Sequence, residues 1–205
     1  MSLFDKVVAA VTPPETNRQR AEARQKAQSA ATDGDWLSLI LDHHRQIEAA
    51  FANVKASMDA PGRLAAQKRL ALLLMGHSIA EEAVIYPALV KAAEEGHSTK
   101  AYAEQSAAKV QMGLLEDLDP MSQAYADKLE HIQGAVAHHV YEEEGNWFVD
   151  LKAKLSPEDQ VKLTFRYQQE YSRYTQASEG AISRTEPLAI SRSIDEGTRP
   201  TRERN

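Results

Sequence analysis

Residues 70–87 read Leu70-Ala-Leu-Leu-Leu-Met-Gly-His77-Ser-Ile-Ala-Glu81-Glu-Ala-Val-Ile-Tyr-Pro87. His77 falls seven, four and three residues after Leu70, Leu73 and Leu74. An imidazole therefore continues the apolar stripe of a helix, and Glu81, four residues on, shares its face. Burying a carboxylate is costly unless it is paired or binds a cation. The stretch reads as a core helix that carries a polar pair inward.

Working outward, the pair recurs. Seven His and 19 Glu in 205 residues give roughly 0.6 His-x-x-x-Glu matches by chance. The chain holds four: His44/Glu48, His77/Glu81, His138/Glu142 and His139/Glu143. His44 follows Leu37, Ile40 and Leu41 by seven, four and three residues, and His139 follows Ile132, Ala135 and Val136 likewise. One such pair is most simply a surface contact or a satisfied core histidine. Three on three apolar faces call for a cation between them. The expected ligands are His44, Glu48, His77, Glu81, His139 and Glu143. His43 and His138, each one residue off the stripe, read as helix–helix or supporting contacts. His97 follows Gly96 and reads as a loop residue, and His131, eight before His139, lies near the stripe.

The chain has no cysteine, which excludes disulfides, thiolate nucleophiles, iron–sulfur clusters and Cys-based zinc sites together. His and carboxylate ligands suit iron, manganese or zinc. A net charge of −6 offers no basic surface to a nucleic acid. Arg18, Arg20, Arg24 and Lys26 are interleaved with Glu22 and read as a solvated helix face. No run approaches the roughly 18 apolar residues of a membrane helix. The start, Met1 to Val11, is unlike a signal peptide. The expectation is a cytoplasmic protein with neither membrane nor nucleic-acid partner.

The pattern divides the chain into four regions. Residues 1–34 form a helical arm: an amphipathic segment over 1–12, Pro13-Pro14, then a helix over 15–31 with little apolar face. That helix lies outside the bundle or pairs with a second copy, making a homodimer through the arm. Residues 35–155 carry four long periodic segments: Asp35–Met58, Arg63–Glu95, Ser98–Leu118 and Met121–Lys154. Pro87 should bend or interrupt the second. Ser156-Pro157 starts a further helix over 156–177, and the polar stretch 178–205 reads as a disordered tail. Four helices with short connections predict an all-α, up-down-up-down bundle.

Three blocks now carry a resemblance. Asp42-His43-His44-Arg-Gln-Ile-Glu48-Ala-Ala-Phe51, His77-Ser-Ile-Ala-Glu81-Glu82-Ala-Val-Ile-Tyr86-Pro87 and His138-His139-Val-Tyr-Glu142-Glu143-Glu144-Gly-Asn-Trp-Phe148 resemble the signature blocks of the hemerythrin-like, HHE cation-binding domain family. The resemblance covers about residues 35–155. It implies a four-helix bundle around non-haem iron, two ions or one, with manganese and zinc left open. It further implies that His44 and His77 hold one iron, His139 holds the other, and Glu81 and Glu143 bridge them. Glu48 matches a residue of the first block whose ligand role is less defined. The chain departs from the family at the third helix, where Gln105 stands in place of a His. Water, Tyr102, Glu82 or Glu142 are the candidates to complete the site. The implied function is binding or sensing of iron, oxygen or nitric oxide. The alternative is a di-iron enzyme acting on peroxide, nitric oxide or oxygen.

Overall fold

Thr16 opens the first helix with a reciprocal cap: its hydroxyl accepts from Gln19 N–H while the Gln19 side chain accepts from Thr16 N–H. In this computed structural model residues 15–92 and 95–183 are described. The expected amphipathic segment over 1–12 and the chain beyond 183 lie outside them. Helix α1 spans Asn17–Ala30. Asp35 then caps α2, Trp36–Ala56, by accepting from Ser38 N–H. Asp59 caps α3, Ala60–Ala80, with Pro61 in its first turn. After a short π-helical turn, Glu81–Ile85, the chain continues as α4, Tyr86–Lys91. Helix α5 spans Glu95–Glu116, and α6, capped by Ser122, spans Gln123–Glu142. A second π turn, Glu143–Trp147, leads into α7, Phe148–Lys154, and α8 spans Pro157–Ser183. There is no strand among the described residues.

The bend expected at Pro87 takes the form of a π turn. Tyr86 N–H bonds to the carbonyl of Glu81, five residues back, and Pro87 follows at the start of α4, where no N–H is needed. The Tyr102 hydroxyl donates to the Glu82 carbonyl at 2.8 Å, so a backbone acceptor beside the proline is satisfied. His97, expected in a loop, instead sits in the first turn of α5 with its ring stacked on Trp147, 5.5 Å between centroids. Helix α8 runs six residues past the expected end at 177, through residues that include the good helix formers Glu179 and Ala181.

The core falls into two apolar clusters. Trp36, Leu37, Ile40, Ile85, Phe148 and Leu151 belong to one. Phe51, Val54, Leu70, Leu115, Tyr125 and Leu129 belong to the other. Each fully buried side chain of this size stabilises by about 1.5–3 kcal/mol. His44 lies between Leu41 of the first cluster and Ile47 of the second, and His139 between Trp147 and Ile132. A polar belt therefore crosses the bundle between two apolar halves.

Helix α1 packs on the same chain. Ala23 and Ala27 are buried, and a Cβ at Gly145 would come within 3.5 Å of the Ala23 methyl. The apolar side of this helix is thus covered without a second copy. The segment Ala60–Lys91 is, contrary to expectation, long and apolar enough to cross a membrane by length and composition. Its Leu70, Val84, Ile85 and Leu89 are buried in the core.

Candidate metal centre

Two helices end at the site in the same way. His77 and Glu81 close α3, His139 and Glu143 close α6, and each Glu begins a π turn. The α register before the turn keeps each His and Glu on one face. The five-residue bond after it stacks residue i+5 beneath the Glu. In the first of these turns that residue is Tyr86, whose hydroxyl comes 3.3 Å from Glu81 Oε2.

Each histidine is held from outside by Nδ1 and offers Nε2 inward. His44 Nδ1 lies 2.8 Å from Glu144 Oε1, His139 Nδ1 lies 2.8 Å from Glu104 Oε2, and His77 Nδ1 lies 3.3 Å from the Tyr167 hydroxyl. Such partners fix ring orientation and leave the opposite nitrogen for a cation. His77 Nε2 lies 3.2 Å from Glu81 Oε2, and His139 Nε2 lies 3.1 Å from Glu143 Oε1. His44 Nε2 lies 3.3 Å from Glu143 Oε2, without the alignment of a hydrogen bond.

The donor atoms fit a cation. Ligand atoms of His44, His77, Glu81 and Glu143 all lie within 4.8 Å of one another, on buried side chains. His44 Nε2, Glu81 Oε1, Glu143 Oε2 and Gln105 Oε1 are buried with no hydrogen-bond partner. Buried polar atoms are rarely left in this state, and four together suit a bound cation. His, carboxylate and amide donors suit iron, manganese or zinc.

Burial works to lower the His44 pKa, but the Glu143 and Glu144 carboxylates overcome it and raise it to about 9. Burial likewise opposes the charge on His139, yet Glu143 and Glu104 raise it well above its usual range. Burial and the charge of His44 push His77 well down. Burial and the neighbouring Glu143 push Glu81 well up. Burial disfavours ionised Glu143, but His139 and His44 hold it well below the usual carboxylate range.

Five of the six expected ligands, His44, His77, Glu81, His139 and Glu143, come together. Glu48 does not. Its side chain is 55% exposed and pairs with Arg24 of α1 at 2.7 Å. Four residues from His44 is the correct face, but Arg24 draws the carboxylate outward. The second carboxylate at His44 is Glu144, which Arg24 also grips, at 3.0 Å. Among the candidates to replace a third-helix His, none of the three side chains reaches the centre. Tyr102 donates to the Glu82 carbonyl, Glu82 pairs with Lys109, and Glu142 pairs with Lys100. Gln105 itself is buried and donates to Glu81 Oε2 at 2.6 Å.

His43 is a supporting contact, as expected: its Nδ1 meets the Tyr167 hydroxyl at 2.8 Å and its ring stacks on Tyr171. Burial holds its pKa down at about 4. His138 pairs with Glu15 at 2.9 Å, and His131 is exposed. Sequence reasoning missed Glu144, Tyr86 and Tyr167. The Glu142-Glu143-Glu144 run signalled the first and the Tyr86-Pro87 step the second. Tyr167 carries no local signal, because its partners lie 90 and 124 residues away.

A curated protein from Nostoc sp. (strain PCC 7120 / SAG 25.82 / UTEX 2576), named DNA nickase, is 31% identical over 85 residues. That match covers 42% of this chain and 24% of the relative, so the chain spans about a quarter of that protein. No solved structure matches significantly. The family model for the hemerythrin HHE cation binding domain matches residues 36–151, from the start of α2 into α7. This chain belongs to the hemerythrin HHE cation-binding domain family.

Proposed function

We propose that this protein binds iron at a carboxylate-bridged centre and uses it to bind or sense oxygen or nitric oxide. The observation that carries the reading is the convergence of three imidazole Nε2 atoms on Glu81 and Glu143 in the bundle core. In this reading the bundle is up-down-up-down and works in the cytoplasm. His44 and His77 would hold one ion and His139 the other, with Glu81 and Glu143 as the carboxylates that would serve both. Iron held there would supply the chemistry that binds a small ligand such as oxygen or nitric oxide. The residues do the rest. Glu144, Tyr167 and Glu104 hold the rings in place, and the two apolar clusters exclude bulk water.

A cavity of about 200 Å³ reaches the centre between α3, α5 and α6. Leu74, Met112 and Val136 line its wall, and His77, Gln105 and His139 its inner end. It is smaller than the roughly 300–1,000 Å³ of a pocket for drug-sized ligands, and its lining is mostly apolar, with Glu104, Lys109 and Glu116 among it, which suits a small neutral molecule. Elemental analysis of protein expressed with adequate iron tests the centre; purified protein without near-stoichiometric metal sinks it. Visible spectra of the reduced, iron-loaded protein under oxygen and under nitric oxide test the ligand. Spectra that do not change remove the sensing role.

A second reading, a di-iron enzyme acting on peroxide, nitric oxide or oxygen, is favoured by Gln105. Its carbonyl oxygen is unpartnered at the inner end of the cavity, where a ligand with an N–H or O–H could be held. Steady turnover of peroxide or nitric oxide by iron-loaded protein decides for the enzyme. The nickase activity in the relative's name is not transferred: a net charge of −6 works against a phosphate backbone. Nicking of supercoiled plasmid by iron-loaded protein is the control.

A further inference from the structure

The two π turns are halves of an internal repeat. His77, Glu81, Glu82, Tyr86 and Leu89 correspond, at one constant spacing, to His139, Glu143, Glu144, Phe148 and Leu151. Leu89 and Leu151 both lie in the same apolar cluster. Phe148 does what an aromatic residue at this place does by default. It is buried and packs edge-on against Trp36, 5.9 Å between ring centroids. Tyr86 is buried as completely but carries a hydroxyl, and that hydroxyl stands inside the metal centre.

Its surroundings are unusual for a phenol. Tyr86 Oη lies 3.0 Å from Glu143 Oε1, 3.1 Å from His139 Nε2 and 3.3 Å from Glu81 Oε2. A phenol has one proton and cannot donate to Glu81 and Glu143 both. His139 Nε2 and Glu143 Oε1 are themselves 3.1 Å apart. Separations of this size are those between neighbouring ligands of one cation at about 2 Å, the usual length of a bond from a metal to nitrogen or oxygen. Helix α5 offers no imidazole here: Gln105 turns its amide nitrogen to Glu81. The donor set on this side of the bridging carboxylates is therefore one imidazole, two carboxylates and one phenol.

We propose that Tyr86 is a ligand of the second ion, binding iron(III) as its phenolate beside His139, Glu81 and Glu143. This rests on the iron-binding reading above. On ligation the phenol O–H bond breaks and the proton leaves to solvent. The oxygen lone pair forms the bond to iron, and no change of oxidation state is involved. A hard anionic donor added to two carboxylates favours the ferric over the ferrous ion. It also gives Tyr86 a spectroscopic signature that a structural tyrosine lacks. The other tyrosine hydroxyl near a ligand histidine, that of Tyr167, touches His77 on its outer nitrogen and stays protonated.

The test uses the full chain loaded with iron(III), with iron content measured on every sample. Wild type should show a visible phenolate-to-iron charge-transfer band and, on excitation in it, enhanced tyrosinate ring modes in the resonance Raman spectrum. Tyr86→Phe should lose the band and the modes, and up to half of the iron. Tyr167→Phe, which binds iron more weakly, should keep both per iron bound. Tyr86→His places an imidazole at the same position and should keep the iron while losing the band. It serves also if Tyr86→Phe does not fold. An iron-loaded wild type without tyrosinate modes, or a band that survives Tyr86→Phe or Tyr86→His, overturns the assignment of Tyr86 and leaves the centre standing. Protein that takes up no iron overturns both.

Discussion

His44 and Glu144 are joined across the bundle, Nδ1 to Oε1 at 2.8 Å, with both side chains buried. Arg24, on a helix outside the family-matched segment, grips the same carboxylate at 3.0 Å. A chain of three residues thus ties α1 to a buried histidine of the candidate centre. Glu144→Ala should weaken iron binding about 10–100-fold, the usual effect of losing a histidine's outer partner, while the helical content is kept. Competition against a chelator measures it. Wild-type affinity in Glu144→Ala would show that the pair does not position His44.

Glu48→Ala makes the opposite prediction. Glu48 is half exposed and its ion pair with Arg24 is at the surface, so its loss should cost less than about 1 kcal/mol. Iron content should be unchanged. A fall in iron stoichiometry for Glu48→Ala would return this residue to the ligand set.

Glu81→Gln separates metal binding from folding. Burial and Glu143 push the Glu81 carboxyl well up, so its charge is a burden on the metal-free fold. The metal-free variant should melt at or above the wild-type temperature. The rise in Tm that iron gives wild type should largely disappear, because binding and folding are coupled through the ligands. Calorimetry with and without iron reads both. A variant that keeps the full iron-dependent rise shows that Glu81 is not a ligand.

Metal-free protein should be most stable near pH 6.5. His44 is raised from 6.5 to about 9; its contribution is complete below 6.5 and is lost as pH rises through about 9. His43 is lowered from 6.5 to about 4; below 6.5 the unfolded chain binds this proton more readily, so stability falls toward pH 4. Iron replaces the His44 proton, so the stabilisation by iron should grow from pH 6.5 to 9. Thermal melts across this range check both slopes. A metal-free Tm that rises steadily from pH 6.5 to 9 contradicts the raised His44.

Tyr167→Phe examines the reach of α8. The hydroxyl serves His43 at 2.8 Å and His77 at 3.3 Å. Its removal should lower iron affinity several-fold and leave the helical bundle intact. Unchanged affinity would mean that α8 covers the centre without orienting His77.

The helices and the histidine pairs were legible in the sequence because both are local. A period of 3.6 residues decides which side chains share a face. His77 with Glu81 and His139 with Glu143 lie four apart on that face, whatever surrounds them. The wrong choice of Glu48 has the same origin. It keeps the local register, and nothing within four residues of it reveals Arg24.

Partner choice across the bundle was decided only by the tertiary structure. Glu144 replaces Glu48 at His44 because α1 brings Arg24 between the two carboxylates. Tyr167 reaches His77 because α8 packs along α3. Tyr86 enters the centre while Phe148, its repeat partner, stays in the apolar core. The π turns set the register of both rings, but only the Tyr86 ring carries an oxygen for the gap beside Glu81, Glu143 and His139. Sequence determined which faces turn inward; packing determined which polar atoms meet there, because those contacts join residues tens of positions apart.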